Sequence, residues 1–197
     1  MQVRYEEWDK HLILILGGAR SGKSRFAEKL ANHLGQRVVY LATAEARDAE
    51  MAERIARHRE RRPASWRTVE APRRVGEALA REAGDAEVVL LDCLTLLANN
   101  LFLDLGDEPD EAVAAARLEE EVDGLLGAYE QGPASLIVVS NEVGWGLVPP
   151  YPLGRVYRDL LGWAHQRLAA RADRVYLVVA GIPIDLRKLE ASVDDLS

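Results

Sequence analysis

The chain has 197 residues, 48% of them hydrophobic and 29% charged, with a formal net charge of −7. That length and balance suit one compact domain able to bury a full sheet, and the acidity argues against nucleic acid as the main partner. Its single cysteine, Cys93, excludes an internal disulfide and any multi-cysteine metal site, which fits a reducing cytoplasm. No apolar run reaches membrane-spanning length, and the opening MQVRYEEWDKH is too polar for a signal peptide.

Residues 1–11 read as an extension ahead of the fold, either a frayed end or a tether that docks Tyr5 and Trp8 on the surface or on a neighbouring subunit. Leu12–Leu16 is a buried strand that stops at two glycines. A helix follows from about Gly22 to Leu34, with Phe26, Leu30 and Leu34 on one face and Gly35 as its stop. Val38–Ala42 is the second buried strand, ending in the small residues Thr43 and Ala44. Asp48–Arg62 is a charged helix closed by Pro63, and Met51, Ile55, His58 and Arg62 share one of its faces. Ser65–Glu70 reads as a third strand, and Pro72 opens a helix to about Ala83.

Glu87–Leu91 is the next strand and delivers Asp92 at its carboxyl end. Thr95–Leu103 is apolar and helical. A polar loop at 106–108 leads to a helix that starts at Pro109, carries Asp110 and Glu111 in its first turn and runs to about Tyr129. Ser135–Ser140 is a strand, followed by the irregular, Gly- and Pro-rich NEVGWGLVPPYP. Leu153–Arg171 is an amphipathic helix with Val156, Leu160, Trp163 and Leu168 turned inward. Arg174–Ala180 is the last clear strand, and the charged tail from Asp185 reads as loose.

Apolar strands alternating with helices predict an α/β fold, a mostly parallel sheet with helices on both faces and residues 12–184 in one domain. Ligands bind outside the carboxyl ends of such strands. Those ends are the loop after the first strand, Ala42 to Ala44, Asp92, Asn141 and Glu142, and Gly181.

The first of these ends carries the chemistry. In LILILGGARSGKS, Gly17, Gly22, Lys23 and Ser24 fit G-x-x-x-x-G-K-[ST] between a strand and a helix. Backbone N–H groups and the helix N-terminus then face one polyphosphate, Lys23 reaches the outer phosphates, and the Ser24 hydroxyl holds Mg²⁺. Asp92, after four apolar residues, is placed to hold the same Mg²⁺ or to cap the next helix. Glu142 fits either a base or a loop-orienting carboxylate. His58 has Arg54, Arg61 and Arg62 at helical spacing, cations that oppose its protonation and match a polyphosphate. A solvated basic helix has the same pattern, and Arg155 and Arg158 read as surface charge.

GGARSGKS, LATAEARDAEMAERIARHRERRP, SWRTVE, LLDCLT, SNEVG-x-G-x-VP and R-x-x-RD, in this order from about Leu12 to Gly181, resemble the bifunctional adenosylcobinamide kinase/adenosylcobinamide-phosphate guanylyltransferase family. The resemblance implies a RecA-like P-loop fold, a homotrimer, and a histidine-bearing helix that stands out from the core. It also implies two reactions. ATP or GTP phosphorylates the aminopropanol hydroxyl of adenosylcobinamide; GTP then gives GMP to a histidine, and GMP passes to adenosylcobinamide phosphate, yielding adenosylcobinamide-GDP. His58 matches that histidine. Gly17, Gly18, Ala19, Arg20, Ser21, Gly22, Lys23, Ser24, Ala42, Thr43, Ala44, Arg59, Glu60, Arg61, Arg62, Glu70 and Asp92 match the GTP site, and Glu70 fits the guanine N1 and N2 groups. Two positions depart from the pattern: Asp92, where some relatives carry Glu, and His165, where the family reads N-Q-R-L-A. Without the resemblance, the residues also fit a P-loop kinase of another small alcohol or a nucleotide-switched binding module.

Overall fold

The computed structural model describes residues 10–60, 62–106 and 110–191, with residue 54 described by its backbone alone. The expectations for Tyr5, Trp8, Pro109, Arg61, the Arg54 side chain and the end of the tail lie outside the described residues.

In chain order the elements are β1 (Leu12–Gly17), α1 (Lys23–Leu34), β2 (Val38–Ala42), α2 (Ala49–Glu60), β3 (Arg67–Glu70), α3 (Val75–Glu82) and β4 (Val88–Asp92). There follow α4 (Leu94–Asp104), α5 (Glu111–Gln131), β5 (Ser135–Asn141), α6 (Pro152–Arg171), β6 (Arg174–Val179), β7 (Ile182–Asp185) and a short 3₁₀ helix, Leu186–Leu189. The strands form one seven-stranded sheet in the order β3-β2-β4-β5-β1-β6-β7. All neighbours run parallel except β6 and β7.

Side chains alternate between the two faces of a strand, which sorts the core into two layers. Leu12, Leu14, Val89, Leu91, Leu136 and Val138 pack under α3, α4, α5 and α6. Ile13, Ile15, Val88, Leu90, Ile137 and Val139 pack with Ala27 and Ala31 of α1. Each such aliphatic side chain contributes about 1.5–3 kcal/mol on burial, so these helices are anchored. Helix α2 is not: among its described side chains none is buried, and Met51, Ile55 and His58 are half-buried on one face. No described helix is long and apolar enough to cross a membrane.

Several elements differ from expectation, among them β3, which begins at Arg67 and not at Ser65. Helix α2 ends at Glu60, short of Arg62. Helix α3 starts at Val75 instead of Pro72, because Arg74 adopts a positive φ of 51° and the buried Glu121 carboxylate accepts the N–H groups of Arg74 and Val75. The stretch from Asp185 is not loose through Leu189. Pro183 disguises a strand that sits at the sheet edge, where its missing N–H costs nothing. Ala180 and Gly181, with φ of 50° and 81°, form the tight turn that folds β7 back on β6. Leu186 then packs against the core.

Candidate active site

The register of the sheet brings the polar strand ends into one row. Ala42 pairs with Glu70 on one side and with Asp92 on the other, and Gly17 pairs with Asn141. Above this row lies a cavity of about 880 Å³, within the usual range for small-molecule sites, roughly 300–1,000 Å³.

Its floor comes from the phosphate loop. Gly17 has no room for a side chain: a Cβ would meet Ser21 Oγ and the Val178 carbonyl at 2.6 Å. Gly22, with φ of 97°, turns the chain into α1 as its N-cap, a conformation that glycine adopts without strain. Helix α1 has no acidic residue in its first turn, so its positive end faces outward uncompensated. Lys23 and Ser24 line the cavity, and the Lys23 ammonium donates to the Gly18 carbonyl at 3.1 Å. Gly17, Gly18, Ala19, Arg20, Ser21 and Gly22 form the turn leading to them and do not line the cavity.

The wall is built from strand ends. Ala42, Ala44, Glu70 and Asp92 face the cavity, whereas Thr43 does not. Its hydroxyl is buried, donates to the Cys93 carbonyl and accepts the Cys93 N–H, each at 2.8 Å. Asp92 is not the cap of α4; that position belongs to Cys93. Instead Asp92 Oδ2 accepts the Tyr40 hydroxyl at 2.9 Å, and burial with the Asp92 charge pushes the Tyr40 phenol well above its ordinary range. Cys93 also borders the cavity, but burial raises its thiol to about 12, so it is no nucleophile at neutral pH.

Helix α2 closes the other side with Met51, Ile55, His58, Arg59 and Glu60. Arg59 reaches Glu70 at 3.2 Å, across from its own helix. Arg62, beyond the helix end, lies 3.3 Å from the centroid of the Tyr40 ring and donates to Thr68 Oγ1 at 3.3 Å. Arg62 thus covers the ring that holds Asp92, set by the turn after α2 and not by helical spacing from His58. Among the described residues, the buried side-chain atoms without a hydrogen-bond partner are Ser21 Oγ and Arg62 Nε. Both belong to the loop and the wall just described, and a buried orphan costs about 1–3 kcal/mol. A polyanionic ligand suits both donors.

Several site residues carried no sequence signal. Tyr40 reads as core and Asn100 as a helix residue. Asn100 is 2% exposed, and its amide donates to the Thr43 and Pro72 carbonyls at 2.8 and 3.1 Å, tying the loops after β2 and β3 together. Glu45 lines the cavity, and Arg73, which also bridges to Asp104, holds its carboxyl below the ordinary range. Asn141, a strand end expected at the crevice, lines the cavity too. One oxygen of Glu142, Oε1, serves the loop by accepting the Gly144 N–H at 2.6 Å. The Gly181 N–H donates to the Ser21 carbonyl at 2.8 Å, bracing the phosphate loop from the β6–β7 turn.

Residues 13–186 match the family model described as cobinamide kinase / cobinamide phosphate guanyltransferase. The bifunctional adenosylcobalamin biosynthesis protein CobP of Pseudomonas aeruginosa is 49% identical over 174 residues, 88% of this chain and 96% of that one. The bifunctional adenosylcobalamin biosynthesis protein CobU of Escherichia coli is 43% identical over 181 residues, 89% and 99% of the two chains. That of Salmonella typhimurium is 42% identical over 181 residues with the same coverage. The chain therefore belongs to the cobinamide kinase / cobinamide phosphate guanyltransferase family.

Proposed function

We propose that the protein phosphorylates adenosylcobinamide with ATP or GTP, and then transfers GMP from GTP through His58 to adenosylcobinamide phosphate. One observation carries this reading: a single cavity joins the phosphate-loop residues Lys23 and Ser24 and the carboxylate Asp92 with His58 of α2.

The phosphate tail is held by the loop amides, the α1 N-terminus and Lys23. Ser24 and Asp92 face the same space, and one hydroxyl and one carboxylate beside a polyphosphate suit Mg²⁺, which keeps most of its shell as water and phosphate oxygen. When bound, Mg²⁺ supplies neutralising charge on the phosphates. In the guanylyl step a His58 ring nitrogen attacks the α-phosphorus, an N–P bond forms, and the bond to pyrophosphate breaks. Arg59 and Arg62 line the same cavity as His58, and their charge offsets that of the α-phosphate. The phosphate oxygen of adenosylcobinamide phosphate then attacks the same phosphorus and releases the imidazole. Splitting the transfer lets each partner be aligned alone. Glu70, at the end of β3, accepts the guanine N1 and N2 donors in this reading, with Arg59 as its partner before GTP arrives.

Incubation with adenosylcobinamide and nucleotide, followed by chromatography of the corrinoids, tests both steps. The wild type is expected to make adenosylcobinamide phosphate and then adenosylcobinamide-GDP. His58→Ala is expected to stop at the phosphate. Formation of the GDP product by His58→Ala would overturn the covalent route, and absence of both products from the wild type would overturn the substrate.

A further inference from the structure

His165 has no part in that scheme, yet it is a buried imidazole, 6% exposed, close to the cavity wall. Its Nε2 lies 2.7 Å from Ser140 Oγ, Ser140 Oγ lies 3.1 Å from Thr95 Oγ1, and Thr95 Oγ1 accepts the Asn141 N–H at 2.7 Å. On its other side Nδ1 stands 3.7 Å from Glu142 Oε2. One donor order satisfies every member. Asn141 N–H donates to Thr95, the Thr95 hydroxyl to Ser140, and the Ser140 hydroxyl to Nε2, which leaves the ring proton on Nδ1 facing the Glu142 carboxylate. Burial lowers the His165 pKa against the pull of Glu142, in keeping with this neutral tautomer. Helix α6 holds the chain a second time through the Tyr157 hydroxyl, which donates to the Thr95 carbonyl at 2.8 Å.

The chain ends on the residue of β5 that faces the cavity. Asn141 pairs in register with Gly17, and the next residue, Glu142, donates its N–H to the Gly17 carbonyl at 3.0 Å. Asn141 thus sits between the Asp92 strand and the first glycine of the phosphate loop, and it lines the same cavity as Lys23 and Ser24.

We propose that His165 is a positioning residue for phosphoryl transfer: through Ser140 and Thr95 it fixes the Asn141 backbone, so that the Asn141 side-chain amide meets the γ-phosphate. This rests on the kinase half of the proposed function. An Asn at position 165 would keep an acceptor for Ser140.

Two rates test it in the full-length chain: phosphorylation of cobinamide, and slow hydrolysis of the nucleotide by water without cobinamide. Asn141→Ala and His165→Ala are each expected to lower kcat about tenfold or more with KM nearly unchanged, since small misplacements cost up to about 10² in rate. His165→Asn is expected to recover most of the loss, and Asn141→Ala/His165→Ala to be no slower than Asn141→Ala alone. A role in packing only would lower the melting temperature but leave kcat intact well below it. Unchanged kcat in His165→Ala, or single losses that multiply in the double variant, overturns the proposal. Should His165→Ala fail to fold, Ser140→Ala breaks the same chain and carries the same expectation. Wild-type failure to phosphorylate cobinamide counts against the substrate, while the hydrolysis rates still decide the coupling of Asn141 to His165.

Discussion

The Tyr40 hydroxyl donates a 2.9 Å hydrogen bond to Asp92 Oδ2, so the carboxylate that faces the phosphate loop is aimed by a core residue of the neighbouring strand. Arg62 covers the same ring, which links the turn after the His58 helix to the Asp92 carboxylate. A hydrogen bond to a charged group is worth about 1.5–3 kcal/mol. Tyr40→Phe keeps the packing and removes the bond. The phosphorylation rate is expected to fall about tenfold, and the Mg²⁺ concentration for half-maximal rate to rise. An unchanged Mg²⁺ titration would separate Asp92 from the metal.

Asn100 clamps two loops at the cavity edge from a fully buried position. Asn100→Leu leaves the Thr43 and Pro72 carbonyls without that donor, at a cost of about 1–3 kcal/mol. Denaturant unfolding reads this as a lower midpoint with an unchanged slope, and a midpoint equal to that of the wild type would show the clamp to be idle.

Acid weakens the fold through two sets of groups. Burial depresses the His165 pKa, with Glu142 opposing, so the unfolded chain binds a proton that the native one refuses. Stability therefore falls as pH drops below the ordinary histidine value of about 6.5, by at most about 1.4 kcal/mol per pH unit. Hydrogen bonds from Arg73 hold the Glu45 and Asp104 pKa values down, and their contribution is lost at lower pH, below the ordinary carboxylate range. Melting temperature from pH 7 to pH 5.5 is expected to slope less in His165→Asn than in the wild type. Parallel curves would place the first effect elsewhere.

Helix α2 is held lightly. Its described side chains include none that is buried, and its Arg59–Glu70 pair is more than half exposed on both sides, a class of contact worth roughly 0–1 kcal/mol. Its amides are expected to exchange with solvent faster than those of α1, whose Ala27 and Ala31 are fully buried, and to slow when GTP binds. Equal protection of α1 and α2 without nucleotide would contradict this.

Much of this was legible in the residues because period and punctuation are local. Branched aliphatic runs marked the parallel strands, the glycines and Lys23-Ser24 marked the phosphate loop, and helical spacing gave Met51, Ile55 and His58 a common face, which the structure turns toward the cavity. What stayed hidden depends on contacts distant in sequence. Thr43 looks like a small wall residue until its hydroxyl is seen to latch Cys93, 50 positions away. Tyr40 reads as core, and His165 shows only as a departure from the family pattern, because nothing adjacent reveals their partners Asp92 and Ser140. β7 was hidden by Pro183, which only an edge position tolerates.

The most direct test is the intact mass of the protein after incubation with GTP and Mg²⁺ at neutral pH, followed by peptide mapping. A gain of one guanylyl group, located on His58, labile to acid and absent from His58→Ala, is the expected result. No adduct on the active wild type, or an adduct that persists in His58→Ala, would contradict covalent transfer through this histidine.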